Sequence, residues 1–162
     1  MKNAMAVDTT YMRSVLGRHP TGVVLITSKS ATGDTLAMVV GSFTSVSLDP
    51  PLVGFLPGKS SESWSAIAKT GRFMVSTLAF DQIDECRSLA GKVKHLGEAQ
   101  WIETTSGLPV LARALATVEC DIESVVEAGD HWFVMGRVLE LSVHRDVPPL
   151  LFCNGQLVPA QS

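Results

Sequence analysis

Ser42, Thr44, Ser45 and Ser47 place four hydroxyls within the stretch GSFTSVSLDPPLVGF, residues 41 to 55. Such an alternation of hydroxyl and apolar residues fits a strand with a solvated face. It fits equally a pocket wall, where hydroxyls and backbone N–H groups meet a polar, planar ligand and Gly41 permits close approach. A second cluster, Lys59, Ser60, Ser61 and Ser63, precedes a helical pattern. Serines there either cap the helix or bind an anion such as phosphate, since the first turn of a helix carries unpaired N–H groups and positive potential. His19, His95, His131 and His144 are dispersed and stand beside no Cys or carboxylate in a recognised catalytic arrangement. Spacing alone assigns none of them to chemistry.

Other chemistries are excluded by what is missing. No Gly-x-Gly-x-x-Gly, Walker loop or serine nucleophile elbow occurs, so a Rossmann-held dinucleotide is not expected. Cys86, Cys120 and Cys153 form no Cys-x-x-Cys pair and no cluster at zinc-ligand spacing; they read as reduced and structural, with no metal site. The formal charge is -3 and the basic residues are scattered, which argues against a nucleic-acid partner. The N-terminal segment has no uninterrupted apolar core and no run reaches membrane-spanning length. The expectation is a cytoplasmic protein without membrane contact. With 46% hydrophobic and 18% charged residues, the 162-residue chain is expected to form one domain over its whole length, with its core at about residues 10 to 155.

The elements that must position these residues follow from periodicity. DTTYMRSVLG predicts a short helix capped by Asp or Thr, with Tyr11, Met12, Val15 and Leu16 on one face. GVVLITS and TLAMVVGSF flank the turn KSATGD as a hairpin, and Pro50-Pro51 is expected to stop strand pairing. GKSSESWSAIAKTG reads as a helix, RFMVSTLA as a strand and FDQIDECRSLAG as a helix capped by Asp81, while residues 91 to 112 read as a loop with local turns. In TVECDIESVVEA, Val118, Cys120, Ile122 and Val126 alternate with Glu119, Asp121, Glu123 and Glu127, which predicts a strand with one wet face. A Gly-Asp turn joins it to a long partner strand, and PPLLFCNGQL ends the pattern with another short strand. Many strands with three short helices favour a mainly β, antiparallel barrel over a doubly wound parallel sheet.

GSFTSVSLDPPLV, KSSESW, GRFMVSTLAFDQ, ECDIESVVEAGDHWFVMGRV and PPLLF, in this order and at this spacing, resemble the flavin reductase family. The resemblance spans about residues 10 to 155. It implies an antiparallel Greek-key split β-barrel, the FMN-binding split barrel, with a few short helices. It also implies a homodimer that uses NADH or NADPH to reduce FMN or FAD, supplying the reduced flavin to a separate monooxygenase.

Site residues follow from the same resemblance. Val40, Gly41 and Ser42 would meet the flavin ring, Ser45 and Ser47 the ribityl chain or phosphate, and Lys59, Ser60, Ser61 and Ser63 the other side of the phosphate. Lys92 and Lys94 lie where the family has basic residues near that group, and His131 falls on the family's Gly-Asp-His histidine beside the nicotinamide. Trp132 and Phe133 would alternate between core and pocket. Val39-Val40-Gly41-Ser42 departs from the family's Thr-Ala-Asn-Ser, removing a hydroxyl and an amide from the ring edge, and Ser76 stands where Asn is frequent. These departures keep a second reading open, a flavin-binding carrier or sensor without reductase turnover.

Overall fold

A computed structural model describes residues 7–91 and 100–160. Asp8 caps the first helix, α1 (Thr9–Leu16), by accepting hydrogen bonds from the N–H groups of Thr10 and Tyr11. The chain then passes through β1 (Thr21–Gly22) into the hairpin β2 (Val24–Lys29) and β3 (Thr35–Val40), closed by a turn at Ser30–Asp34. A second hairpin, β4 (Thr44–Leu48) and β5 (Pro51–Phe55), follows after only three residues. Here pairing does not stop at the double proline: Leu48 faces Pro51 and Ser47 faces Leu52, so Asp49-Pro50 is the hairpin turn. Proline is tolerated at 51 because it is the first residue of its strand, where a ladder N–H is least needed.

Then come α2 (Glu62–Ala68), β6 (Arg72–Thr77) and α3 (Ile83–Ala90). Asp81 does not cap α3; Gln82 occupies that position, and Asp81 is drawn instead to the guanidinium groups of Arg113 and Arg145. Of the stretch expected as a loop, residues 92–99 lie outside the described residues, and the rest holds a small hairpin, β7 (Trp101–Glu103) and β8 (Pro109–Leu111). The 13-residue strands β9 (Ala116–Ala128) and β10 (His131–Val143) pair across the two-residue Gly129-Asp130 turn. A last hairpin, β11 (Leu150–Cys153) and β12 (Gln156–Pro159), also holds β1 against its edge.

Seven strands form one antiparallel sheet in the order β3-β2-β6-β9-β10-β5-β4. The run β6-β9-β10-β5 is the Greek-key arrangement. β3 and β4 are its two edges, yet Gly41–Phe43 alone joins them. An extended link of that length reaches about 14 Å, whereas the edges of a flat seven-stranded sheet lie about 29 Å apart. The sheet must therefore curl until its edges converge, giving the split barrel.

The barrel interior is filled by Val24, Ile26, Phe55, Phe73, Val75 and Val134, with Trp64 and Ile67 of α2 plugging one end. Phe55 packs edge-on against Trp64 at 5.6 Å and against Phe73 at 5.3 Å between ring centroids. A second cluster outside the barrel joins Val23, Leu25 and Leu78 to Cys86 and Leu89 of α3. The alternation expected along β9 fails at Glu119, which is 6% exposed. The loop between β7 and β8 reaches this strand, and the Ser106 hydroxyl donates to Glu119 at 2.8 Å.

Candidate functional site

β3 has a neighbour on one side only, so one row of its backbone N–H and C=O groups is not used by the sheet. Three adjoining grooves run along this free edge. The first, about 540 Å³, lies between the end of β3 (Met38 to Val40), the α1–β1 turn and Leu56–Gly58. The second, about 690 Å³, shares Met38, Val39 and Ser61 with it and continues past Ser63 toward Leu89 and Gly91. The third, about 250 Å³, shares Val39, Val40 and Gly41 and is closed by Cys86, Arg87, Phe152 and Leu157. Val39, brought to all three, sits at their junction.

Of the residues anticipated from sequence, Val40, Gly41, Ser42, Ser61 and Ser63 line this system. The Ser42 hydroxyl is already engaged, accepting from the Leu56 N–H at 2.9 Å, so it tethers the link after β3 to the segment after β5. The Ser61 hydroxyl accepts from the Trp64 N–H at 3.1 Å as the cap of α2 and keeps its own proton to donate. Ser45 and Ser47 stand apart on β4, where a bulge at Val46 interrupts the register with β5. Ser60 is exposed in the turn before α2. Lys59 sends its ammonium to Glu127, 3.0 Å away, and over the face of Trp132 at 4.9 Å. Lys92 and Lys94 lie outside the described residues.

His131 opens β10 at the end of the first groove, bridged to the groove residue Gly58. Its Nε2 is 3.9 Å from where a Cβ on Gly58 would stand, so the imidazole neighbours this end of the groove without itself lining any of the three. Its Nδ1 meets the Asp130 carboxylate at 2.7 Å. That hydrogen bond holds the Asp130 carboxyl below the usual carboxylate range.

Sequence reasoning missed His19, Thr21, Arg87 and Phe152, all of which line the grooves. Nothing in their local patterns marks them, because each arrives from a different element. Thr21 carries the one signal that geometry adds: its hydroxyl oxygen is buried without a hydrogen-bond partner. Cys86 and Cys120 offer no nucleophile here. Burial and the neighbouring Glu119 and Asp121 push the Cys120 thiol up to about 12, and burial raises that of Cys86.

The walls of the first and third grooves are mainly apolar, the second adds Ser61, Glu62 and Ser63, and the grooves together exceed the size of a single small metabolite. The buried, partnerless Thr21 hydroxyl beside a glycine fits a flat ligand with a polar edge. This defines the class as a split barrel with a groove system along one sheet edge.

The chain matches the flavin reductase like domain over residues 16–161 and belongs to that family. A flavin reductase of Pseudomonas putida is 42% identical over 151 residues, covering 93% of this chain and 89% of its own length. The reductase subunit HsaB of a flavin-dependent monooxygenase from Rhodococcus jostii is 41% identical over 154 residues, covering 94% and 78%. Among solved structures, the NADH:FAD oxidoreductase SgcE6 of Streptomyces globisporus, in complex with NAD and FAD fragments, superposes with a TM-score of 0.85 at 32% identity, covering 93% of this chain and 91% of that one.

Proposed function

We propose that the protein is an NAD(P)H:flavin oxidoreductase that reduces FMN or FAD and passes the reduced flavin to a separate monooxygenase. The observation that carries this reading is the groove system along β3, which runs from the His131 end at Gly58, past Gly41, to Ser61 and Ser63. The family and the relatives named above support the same chemistry.

When bound, the nicotinamide and flavin rings supply the hydride transfer themselves. The chain's task is to hold the two rings in register and exclude competing reactions. Met38, Val39 and Val40 give a flat apolar wall, while the N–H groups around Gly41 and Ser42 are the donors for the polar edge of the flavin. Ser61 and Ser63 serve the phosphate end, with Ser60, Ser45, Ser47, Lys59, Lys92 and Lys94 as further candidates for the ribityl and phosphate groups. His131, oriented by Asp130, faces the nicotinamide amide. A second copy of the chain completes the assembly as a homodimer, a reading supported by the exposed apolar face of α1 (Tyr11, Met12, Val15, Leu16) and by Leu141 and Val143 on β10.

Anaerobic mixing of the protein with excess FMN or FAD and with NADH or NADPH, following the visible absorbance of oxidised flavin, tests the proposal. Many turnovers of free flavin per protein are expected, and the rates rank the cofactors. Tight flavin binding with no turnover of added flavin would establish the carrier reading instead.

A further inference from the structure

Thr21 belongs to no motif, and its position is set entirely by tertiary contacts. β1 pairs with β11, placing Thr21 opposite Phe152, and both line the first groove. Gly41, the first residue of the short link between the sheet edges, passes against it. A Cβ on Gly41 would stand 2.8 Å from Thr21 Oγ1 and 3.8 Å from the Gly22 carbonyl oxygen. The glycine therefore makes room for the hydroxyl.

That hydroxyl is buried and has no hydrogen-bond partner among the described residues. An unpaired buried hydroxyl is a cost to the fold, and the neighbours offered by the groove are mainly apolar: Met38, Val39, Leu56, Pro57 and Phe152. Apolar walls suit a flat ring and not a phosphate. The edge of a flavin ring that carries alternating carbonyl and N–H groups supplies both an acceptor and a donor, and a threonine hydroxyl satisfies either.

Resting on the flavin reading above, we propose that Thr21 is a flavin-binding residue whose hydroxyl hydrogen-bonds the polar edge of the flavin ring, and that Gly41 is required to leave that hydroxyl in place. The contact is to the ring, so it is shared by riboflavin and FMN. Its signature in the ligand-free protein is the reverse of an ordinary structural threonine: losing the hydroxyl removes an unsatisfied group and does not destabilise the fold.

The test compares wild type with Thr21→Val, Thr21→Ser and Gly41→Ala, measuring dissociation constants for riboflavin and FMN by fluorescence titration and the melting temperature without flavin. Thr21→Val is expected to weaken both flavins by about tenfold or a little less, on the order of one hydrogen bond, and to melt at or above the wild-type temperature without ligand. Thr21→Ser should bind within about twofold of wild type, and Gly41→Ala should resemble Thr21→Val in binding. Unchanged binding by Thr21→Val, loss for FMN alone, or a lower melting temperature of its ligand-free form each overturns the proposal. Failure of wild type to bind any flavin overturns the functional reading itself, a result distinct from these.

Discussion

The imidazole Nδ1 of His131 and the carboxylate Oδ1 of Asp130 stand 2.7 Å apart at the tip of the longest hairpin, where the barrel meets the groove. A carboxylate only accepts, so Nδ1 carries the hydrogen and, in the neutral ring, Nε2 is the acceptor. Replacing His131 by Ala should raise KM for NADH by about tenfold, the equivalent of about 1.4 kcal/mol, while changing the flavin dissociation constant less than twofold. Asp130→Asn, which no longer dictates the tautomer, should raise KM for NADH by a smaller factor. Steady-state kinetics with each substrate varied in turn checks both, and an equal effect on flavin and NADH would refute the assignment.

Asp81 gathers a bidentate Arg145, a second guanidinium from Arg113, and through them the ends of β8 and β10. The hydrogen bond from Arg145 is the main reason its carboxyl lies at about 2, against an ordinary 3.8. A depressed carboxylate pKa stabilises the fold above the unfolded value, and that contribution is lost as pH falls from about 4 through about 2. Because the group is partly solvent-exposed, about 1–2 kcal/mol is expected at neutral pH after allowance for screening. Asp81→Asn should be less stable than wild type by this amount at pH 7, and the gap should close toward pH 2. Urea unfolding across that range measures it.

Gly136 shows why one strand position admits no side chain. A Cβ there would lie 2.5 Å from the Phe73 ring and 3.0 Å from Cys120 Cβ, both fully buried in the barrel. Gly136→Ala should cost about 1–3 kcal/mol by overpacking. Adding Phe73→Leu should recover part of the loss, a coupling that a double-mutant cycle in thermal or urea unfolding would detect.

Ser76 is fully buried on β6 with no hydrogen-bond partner for its hydroxyl among the described residues. Ser76→Ala is expected to leave stability unchanged or raise it by up to about 1 kcal/mol, because an unpaired buried hydroxyl is a cost. A clear fall in melting temperature would mean that the hydroxyl is satisfied after all.

Much of the secondary structure was legible locally. The 3.6-residue spacing of Trp64 and Ile67 and the β-branched run before Lys29 name their elements correctly, because one buried face imposes its period on the chain. Errors arose where another element intervened. Asp81 has the chemistry of a cap, but two guanidinium groups from distant segments bind it more strongly than a helix N-terminus would. Glu119 has the spacing of a wet face, but a loop carrying Ser106 covers it. Pro50-Pro51 has the composition of a pairing stop, but Pro50 forms the hairpin turn with Asp49 and Pro51 opens the paired strand β5.

The sequence by itself determined the three helices and most of the long strands, the Gly-Asp-His tip of the long hairpin, and through its motifs the family, but not the short β7–β8 hairpin. Only the tertiary structure decided which of these residues share a site. Thr21, Gly41, Phe152 and the pair Gly58 and Ser61 come from four separate segments and meet because a three-residue link forces the edges of a seven-stranded sheet to converge. Likewise, the structure commits Lys59 to Glu127 and the Ser42 hydroxyl to Leu56, while leaving the Thr21 hydroxyl buried and unpaired. Local periodicity reports which face of an element is buried; it carries no information about which distant groups a curled sheet brings within hydrogen-bonding distance.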